Sequence, residues 1–372
     1  MKKHLRAFLC LVMCLLLSAA VFTGCGDGSS SAAGPEDEDG AALTLNGEAA
    51  DQDLIAYLGY ALSLQALSSN QSFFDSSENT ASLKSAVIEQ VKNYLLPTFM
   101  AKENNISLSP EEEAEVAEQV KQLIASVGGE DAYDEALAQM HMTRALQEDV
   151  IRTQLLQNKM LKEVYGESLK NEIYRAKHIL IKYDAIPSDD DGNPTMTEEE
   201  WRADRLKLAE ELSKRAKDGE NFDDLIKEYN EDGGMASNPD GYYFIEGQMQ
   251  QAFFEGTKAL EIGGVSEPVE VNDYYKGFHI IQRLEPDADV VDGKLAELAA
   301  SSEKAQSDAD VLYNAIDVKE GAQLDSLLQQ QIDAAKTYIN SLQASSSSAA
   351  SSAPSDSPDS SSGSSDDSSS AA

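Results

Sequence analysis

"RAKHILIKY", residues 175–183, decides how the chain is read. Its apolar, β-branched centre predicts a short buried strand. His178 sits in the middle of that run, one of four histidines in the chain. A buried imidazole needs hydrogen-bond partners, because desolvating it unpaired is costly. A second stretch, "GFHIIQRLE" at 277–285, repeats the pattern around His279. Strand alternation puts His178 with Leu180, and His279 with Ile281, on one face each. If the two strands are sheet neighbours, the imidazoles meet in the core, each able to satisfy the other.

Between these strands lies a patterned α+β region. Thr197 and Glu200 form a capping box, with Met196 placed to staple onto Trp201. The helix that follows buries Leu208, Ala209, Leu212 and Ala216, and Asn221 caps a shorter one carrying Phe222, Leu225 and Ile226. A Gly-rich loop, "GYYFIEG", a helix over "MQQAFFEGTKAL" and a turn at Gly263-Gly264 lead into the last strand. The region is large enough to close its own core. A lone histidine in such a strand is ordinarily a satisfied core residue, so spacing by itself assigns the pair no chemistry. His141, His178 and His279 lack chelating spacing, and no metal site is expected.

Taken together, "RAKHILIKY", "FDDLIKEYNED", "FIEGQMQQAFFEGTKALEIGGVSEPVE" and "GFHIIQRLE" resemble, in order and spacing, the parvulin peptidyl-prolyl isomerase domain. The resemblance covers residues 174–286. It implies catalytic roles for His178, Asp232 and His279, a proline-ring pocket at Met249 and Phe253, and a substrate-facing backbone at Gln250. It implies no cofactor. Three features depart from the family pattern: a long loop before His279, Lys276 beside Gly277 where Ser or Tyr is common, and "SNPDGYYF" in place of a Gly-x-Leu-Gly order. The loop after the first strand, "DAIPSDDD", is acidic, which argues against phosphoserine as a substrate group.

The flanks read as helices. Leu83, Val87, Val91 and Leu95 recur at helical spacing, and Pro97 is expected to kink or break that run. Ser109, Pro110 and Glu112 start the next helix with a capping box, and Gly128-Gly129 stops it. Residues 85–137 resemble the N-terminal chaperone region of the SurA and PrsA foldases, which implies an apolar groove for unfolded chains. Near the other end, Leu324, Leu327, Leu328, Ile332, Ala335 and Ile339 form a stripe that needs a partner, and the upstream helices are the natural one.

The N-terminus carries Lys2, Lys3 and Arg6 before an apolar run from Ala7 to Val21, the pattern of a secretory signal. It ends in "FTGC", which resembles a lipobox and implies lipidation of Cys25. Cys10 and Cys14 lie in the apolar run, so Cys25 would be the lone thiol left after cleavage. The formal net charge of −37 argues against nucleic-acid binding.

The expected fold class is therefore α+β: a parvulin domain, a small antiparallel sheet with surrounding helices, inserted in an all-α chaperone domain. The expected divisions are a signal peptide at 1–24, a flexible tether at 25–44, and helices of the chaperone domain at 45–171. The isomerase domain follows at 172–287, a C-terminal helical segment packing on the chaperone domain at 288–342, and a disordered Ser-rich tail at 343–372. The expected function is that of a peptidyl-prolyl isomerase and foldase acting on exported, unfolded or partly folded polypeptides with X-Pro bonds. It would be anchored by lipid at the extracytoplasmic face of the cell membrane, with oligomeric state open. The alternative is a holdase that keeps a catalytically weak parvulin fold.

Overall fold

A computed structural model describes residues 40–272 and 275–351. The signal segment, Cys25 and the end of the Ser-rich tail lie outside the described residues. The chain opens with a hairpin, β1 (Leu43–Leu45) and β2 (Glu48–Ala49). Asn46 and Gly47 both take positive φ between the strands, the backbone a two-residue hairpin turn demands. Five long α-helices follow, with short helical turns between and after them: α1 (Gln52–Ser69), α2 (Ser77–Glu103), α3 (Pro110–Val127), α4 (Glu130–Gln139) and α5 (Arg144–Leu161). The capping box at Ser109 and Glu112 forms as read from the sequence, and Gly128 ends α3 in the left-handed conformation.

Pro97 does not divide α2, which runs as one helix through it. Leu96, Pro97, Phe99 and Met100 are all buried, and their packing outweighs the one helical hydrogen bond that proline removes.

The region expected to be the isomerase domain is built on β3 (Tyr174–Lys182). After it come α6 (Glu198–Lys217), α7 (Phe222–Tyr229), β4 (Tyr242–Phe244), α8 (Gln251–Lys258), β5 (Val269–Val271) and β6 (Gly277–Leu284). The strands form one antiparallel sheet in the order β4-β3-β6-β5. Alternation along β3 and β6 sorts the faces. Ile179, Ile181, Phe278 and Ile280 pack under α6 and α7 with Ala209, Leu212, Phe222 and Leu225. Ala176 and Ile281 face α8 and pack with Phe244, Phe253 and Phe254.

The chain then returns to helices, α9 (Ala288–Ala300) and α10 (Glu303–Ala315), a strand β7 (Val318–Glu320), and the long α11 (Leu324–Ser351). β7 pairs with β1, so the helical region carries a three-stranded sheet sewn from its two chain ends. Leu43 and Leu45 are fully buried there, in the stretch where a flexible tether was expected to end. Leu324, Leu328, Ile332 and Ala335 are buried in the same core as Leu54, Ile55 and Leu58 of α1. The fit is close: a Cβ on Gly59 would come within 2.9 Å of Leu328. The α11 backbone continues past Leu342 to Ser351, into the segment expected to lack structure. Among the described residues, no helix is long and apolar enough to cross a membrane.

Candidate active site

The site lies on the α8 face of the four-stranded sheet. In the β3–β6 register His178 stands opposite Ile281 and Leu180 opposite His279, so the two histidines are diagonal neighbours. Their rings meet edge to face, with centroids 4.7 Å apart and planes at 81°. That orientation leaves no hydrogen bond between them. The expectation that each imidazole satisfies the other is corrected: each turns a nitrogen to a different oxygen.

Nε2 of His178 lies 3.0 Å from Oδ2 of Asp232, a close contact whose N–H direction falls short of full hydrogen-bond alignment. Asp232 sits on the loop after α7, where its Oδ1 accepts from the Gly234 N–H and its Oδ2 from the Tyr242 hydroxyl at 3.2 Å. The contact with His178, followed by these hydrogen bonds, holds the Asp232 carboxyl well below the usual carboxylate range against the opposing effect of burial. An ionised carboxylate only accepts, so Nε2 of His178 carries a hydrogen. Asn230 holds the loop in place: its Oδ1 accepts from the N–H of Leu180 in β3 and from the N–H of Asp232, and its Nδ2 donates to the Asp232 carbonyl.

His279 is paired differently. Its Nε2 lies 2.9 Å from the Tyr275 hydroxyl. Burial, and next the neighbouring His178, push the His279 pKa down to about 3, so the ring is neutral at physiological pH. The Nδ1 atoms of both histidines are buried without a partner.

Over this polar floor stand the apolar groups. Phe253 is buried at the start of α8 and meets His178 at 5.3 Å and His279 at 5.1 Å, both edge to face. Met249 packs on the same cluster. Gln250 occupies the N-cap position of α8 without a side-chain capping bond, and its Oε1 is buried without a partner. One cleft is lined by His178, Asp232, Tyr242, Gly247, Gln248, Met249, Gln250, Phe253, Tyr275 and His279. It therefore brings together all six residues singled out for catalysis and substrate binding.

Two tyrosines in that lining were not singled out. Tyr242 stands opposite Ala176 in the β3–β4 register, on the side of the sheet that carries His178. It stacks on the His178 ring at 5.7 Å and 12°, filling the wall where the family pattern is absent. Burial and then the Asp232 charge raise its pKa to about 12, so its hydroxyl stays protonated. Its place follows from strand alternation once the β3–β4 register is known. Tyr275 gives no such signal, because it precedes β6 in irregular chain. Its hydroxyl lines the cleft next to the position where the family pattern has Ser or Tyr, while Lys276 at that position pairs with Glu198.

Comparison with known proteins adds similarities at the level of sequence and family. Residues 158–287 match the model of the PPIC-type PPIase domain. The foldase protein PrsA of Bacillus subtilis is 34% identical over 154 residues, 38% of this chain and 44% of that protein. PrsA of Staphylococcus aureus strain Newman is 28% identical over 176 residues, 46% of this chain and 52% of that protein. The crystal structure of the peptidylprolyl isomerase PrsA from Bacillus anthracis is similar at 20% identity and a TM-score of 0.29, covering 65% of this chain and 94% of that one. The chain spans about half the length of the curated relatives it matches. With the paired histidines, the carboxylate and the Met–Phe wall all on one sheet face, residues 158–287 belong to the PPIC-type, or parvulin, family of peptidyl-prolyl isomerase domains.

Proposed function

We propose that the cleft isomerises X-Pro bonds of unfolded or partly folded polypeptides, and that the whole chain is a foldase for exported proteins. The observation that carries the reading is an apolar wall of Met249 and Phe253 set directly over a floor of His178, Asp232 and His279. Rotation about an X-Pro bond must overcome a barrier of about 18–20 kcal/mol that comes from partial C–N double-bond character. No covalent step is needed. The planar amide places negative charge on its carbonyl oxygen, and twisting returns electron density to the nitrogen. A fixed carboxylate near that oxygen disfavours the planar form, while an N–H or O–H donor aimed at the prolyl nitrogen, whose lone pair is freed by twisting, favours the twisted one. Asp232, His178, Tyr242 and Tyr275 supply both kinds of group. The apolar wall grips the proline ring while the preceding residue rotates.

Lipid anchoring through Cys25 at the outer face of the cell membrane belongs to the same proposal and rests on the "FTGC" segment. A diacylglyceryl group would give the two chains that stable anchoring requires. Release of a Cys25→Ser variant to the medium, or retention of its signal, is expected; unchanged membrane fractionation with a cleaved N-terminus contradicts it.

The test of the enzymatic reading is the proline-limited refolding of a client protein. An isomerase speeds that phase at substoichiometric amounts. A holdase suppresses aggregation and leaves the phase unchanged, and that result would replace the proposal.

A further inference from the structure

The wall of the cleft is not held by the isomerase domain alone. Along β4 and the residue after it, side chains alternate between two domains, as strand geometry requires. Tyr242 turns to the cleft and Phe244 to the isomerase core. Tyr243 and Ile245 turn the other way and pack into the core of the helical domain. Ile245 is only 3% exposed. The Tyr243 hydroxyl accepts from the Asp287 N–H, the cap of α9, and the Arg175 guanidinium lies over its ring.

Ile245 also anchors the turn that lines the cleft. Its N–H donates to Oε1 of Gln248, and its carbonyl accepts from the Gln248 N–H. Gly247 makes the turn at φ 87°. Gln248, Met249 and Gln250 then run straight into α8. One residue thus has its side chain in the helical core and both backbone polar groups on the substrate-facing turn.

We infer that Ile245 and Tyr243 are positioning residues through which the helical core sets the turn at residues 247–250, so that loosening the helical domain loosens the proline pocket. The kinetic consequence rests on the isomerase reading; the mechanical coupling does not. Its sign is definite. A loosened turn weakens substrate binding more than it alters the floor made by His178, Asp232 and His279, which sits on β3, β6 and the 230–234 loop.

The experiment uses the full chain and a variant remote from the cleft. Leu328→Ala opens a cavity where α11 meets Gly59 of α1, and Ile332→Val is the milder substitute should the first fail to fold. Amide hydrogen exchange is followed separately at residues 245–250 and at Ile179–Ile181 in β3. Coupling predicts that exchange at 245–250 quickens about tenfold or more while β3 is unchanged. With a short X-Pro peptide, KM should rise several-fold with kcat nearly constant, Ile245→Ala should reproduce that split, and Ile245→Val should restore most of it. Exchange at 245–250 that follows β3 and ignores the helical variant overturns the inference. Absence of wild-type turnover would remove the isomerase reading and leave the exchange result to decide the coupling.

Discussion

At the scale of single residues, His178 and Asp232 form one unit. Removing the imidazole leaves a cavity between Phe253, Tyr242 and His279. His178→Ala should cost about 2 kcal/mol or more and lower activity, while His178→Asn, which keeps a donor, should be milder. Asp232→Ala should abolish most activity and also destabilise by about 1–3 kcal/mol, because it strips the nearest acceptor from a buried ring nitrogen. Urea unfolding followed by the sole tryptophan, Trp201 on α6, measures both in the isomerase domain. His279 carries the pH dependence. Its folded pKa of about 3 lies below its ordinary 6.5, so protons bind the unfolded chain first. Its contribution is complete above pH 6.5 and is lost as pH falls toward 3, with a limiting slope of about 1.4 kcal/mol per pH unit. The depressed Asp232 acts in the same direction at lower pH, losing its contribution as pH falls below 3.8 toward its folded value. The stability difference between pH 7 and pH 5 should shrink in His279→Gln, and an unchanged difference would refute this assignment. The sequence made the two histidines legible because strand period fixed their face. It left their partners illegible, because the angle between diagonal rings depends on packing with Phe253 and Tyr242.

At the scale of elements, local signals were read well where chemistry is local. Both capping boxes, Ser109 with Glu112 and Thr197 with Glu200, form with reciprocal hydrogen bonds. Of the kink or break expected at Pro97, the break does not occur, because burial of its neighbours cannot be weighed within one helix. The entry to β4 shows a constraint that only the sheet imposes. Gly241 has φ 95°, and a Cβ there would stand 2.9 Å from the Ala176 carbonyl oxygen of β3. Gly241→Ala should therefore lower isomerase-domain stability by about 1–3 kcal/mol and displace Tyr242 from Asp232. Unfolding of this variant at the wild-type urea midpoint would show that the turn tolerates a side chain. Gly128→Ala, at φ 103° with open space around it, supplies the comparison: strain without a clash, and a smaller loss in the helical domain.

At the scale of the whole molecule, the insertion is visible in where the chain crosses. It enters the isomerase sheet at Tyr174 and leaves it after Leu284, and Arg175 pairs with Leu284 in the register of the two central strands. The helical domain closes only when its last segment returns, since β7 pairs with β1 and α11 covers α1. A chain truncated after residue 288 should lose cooperative unfolding of its helices while the Trp201 transition persists. Helices as stable as in the full chain would contradict that division. The stripe on α11 announced a missing partner, but the three-stranded sheet was hidden, because strands of two or three residues carry almost no periodic signal. The interlock of Ile245 with the helical core was hidden for a related reason: an apolar residue in a strand does not say which domain it faces. The most direct test of the central claim is cis–trans exchange of an X-Pro peptide, measured by NMR with substoichiometric full-length protein. Strong acceleration by the wild type, a large loss in Asp232→Ala, and a raised KM in Phe253→Ala are expected. No acceleration by the folded wild type, or full acceleration by Asp232→Ala, would contradict it.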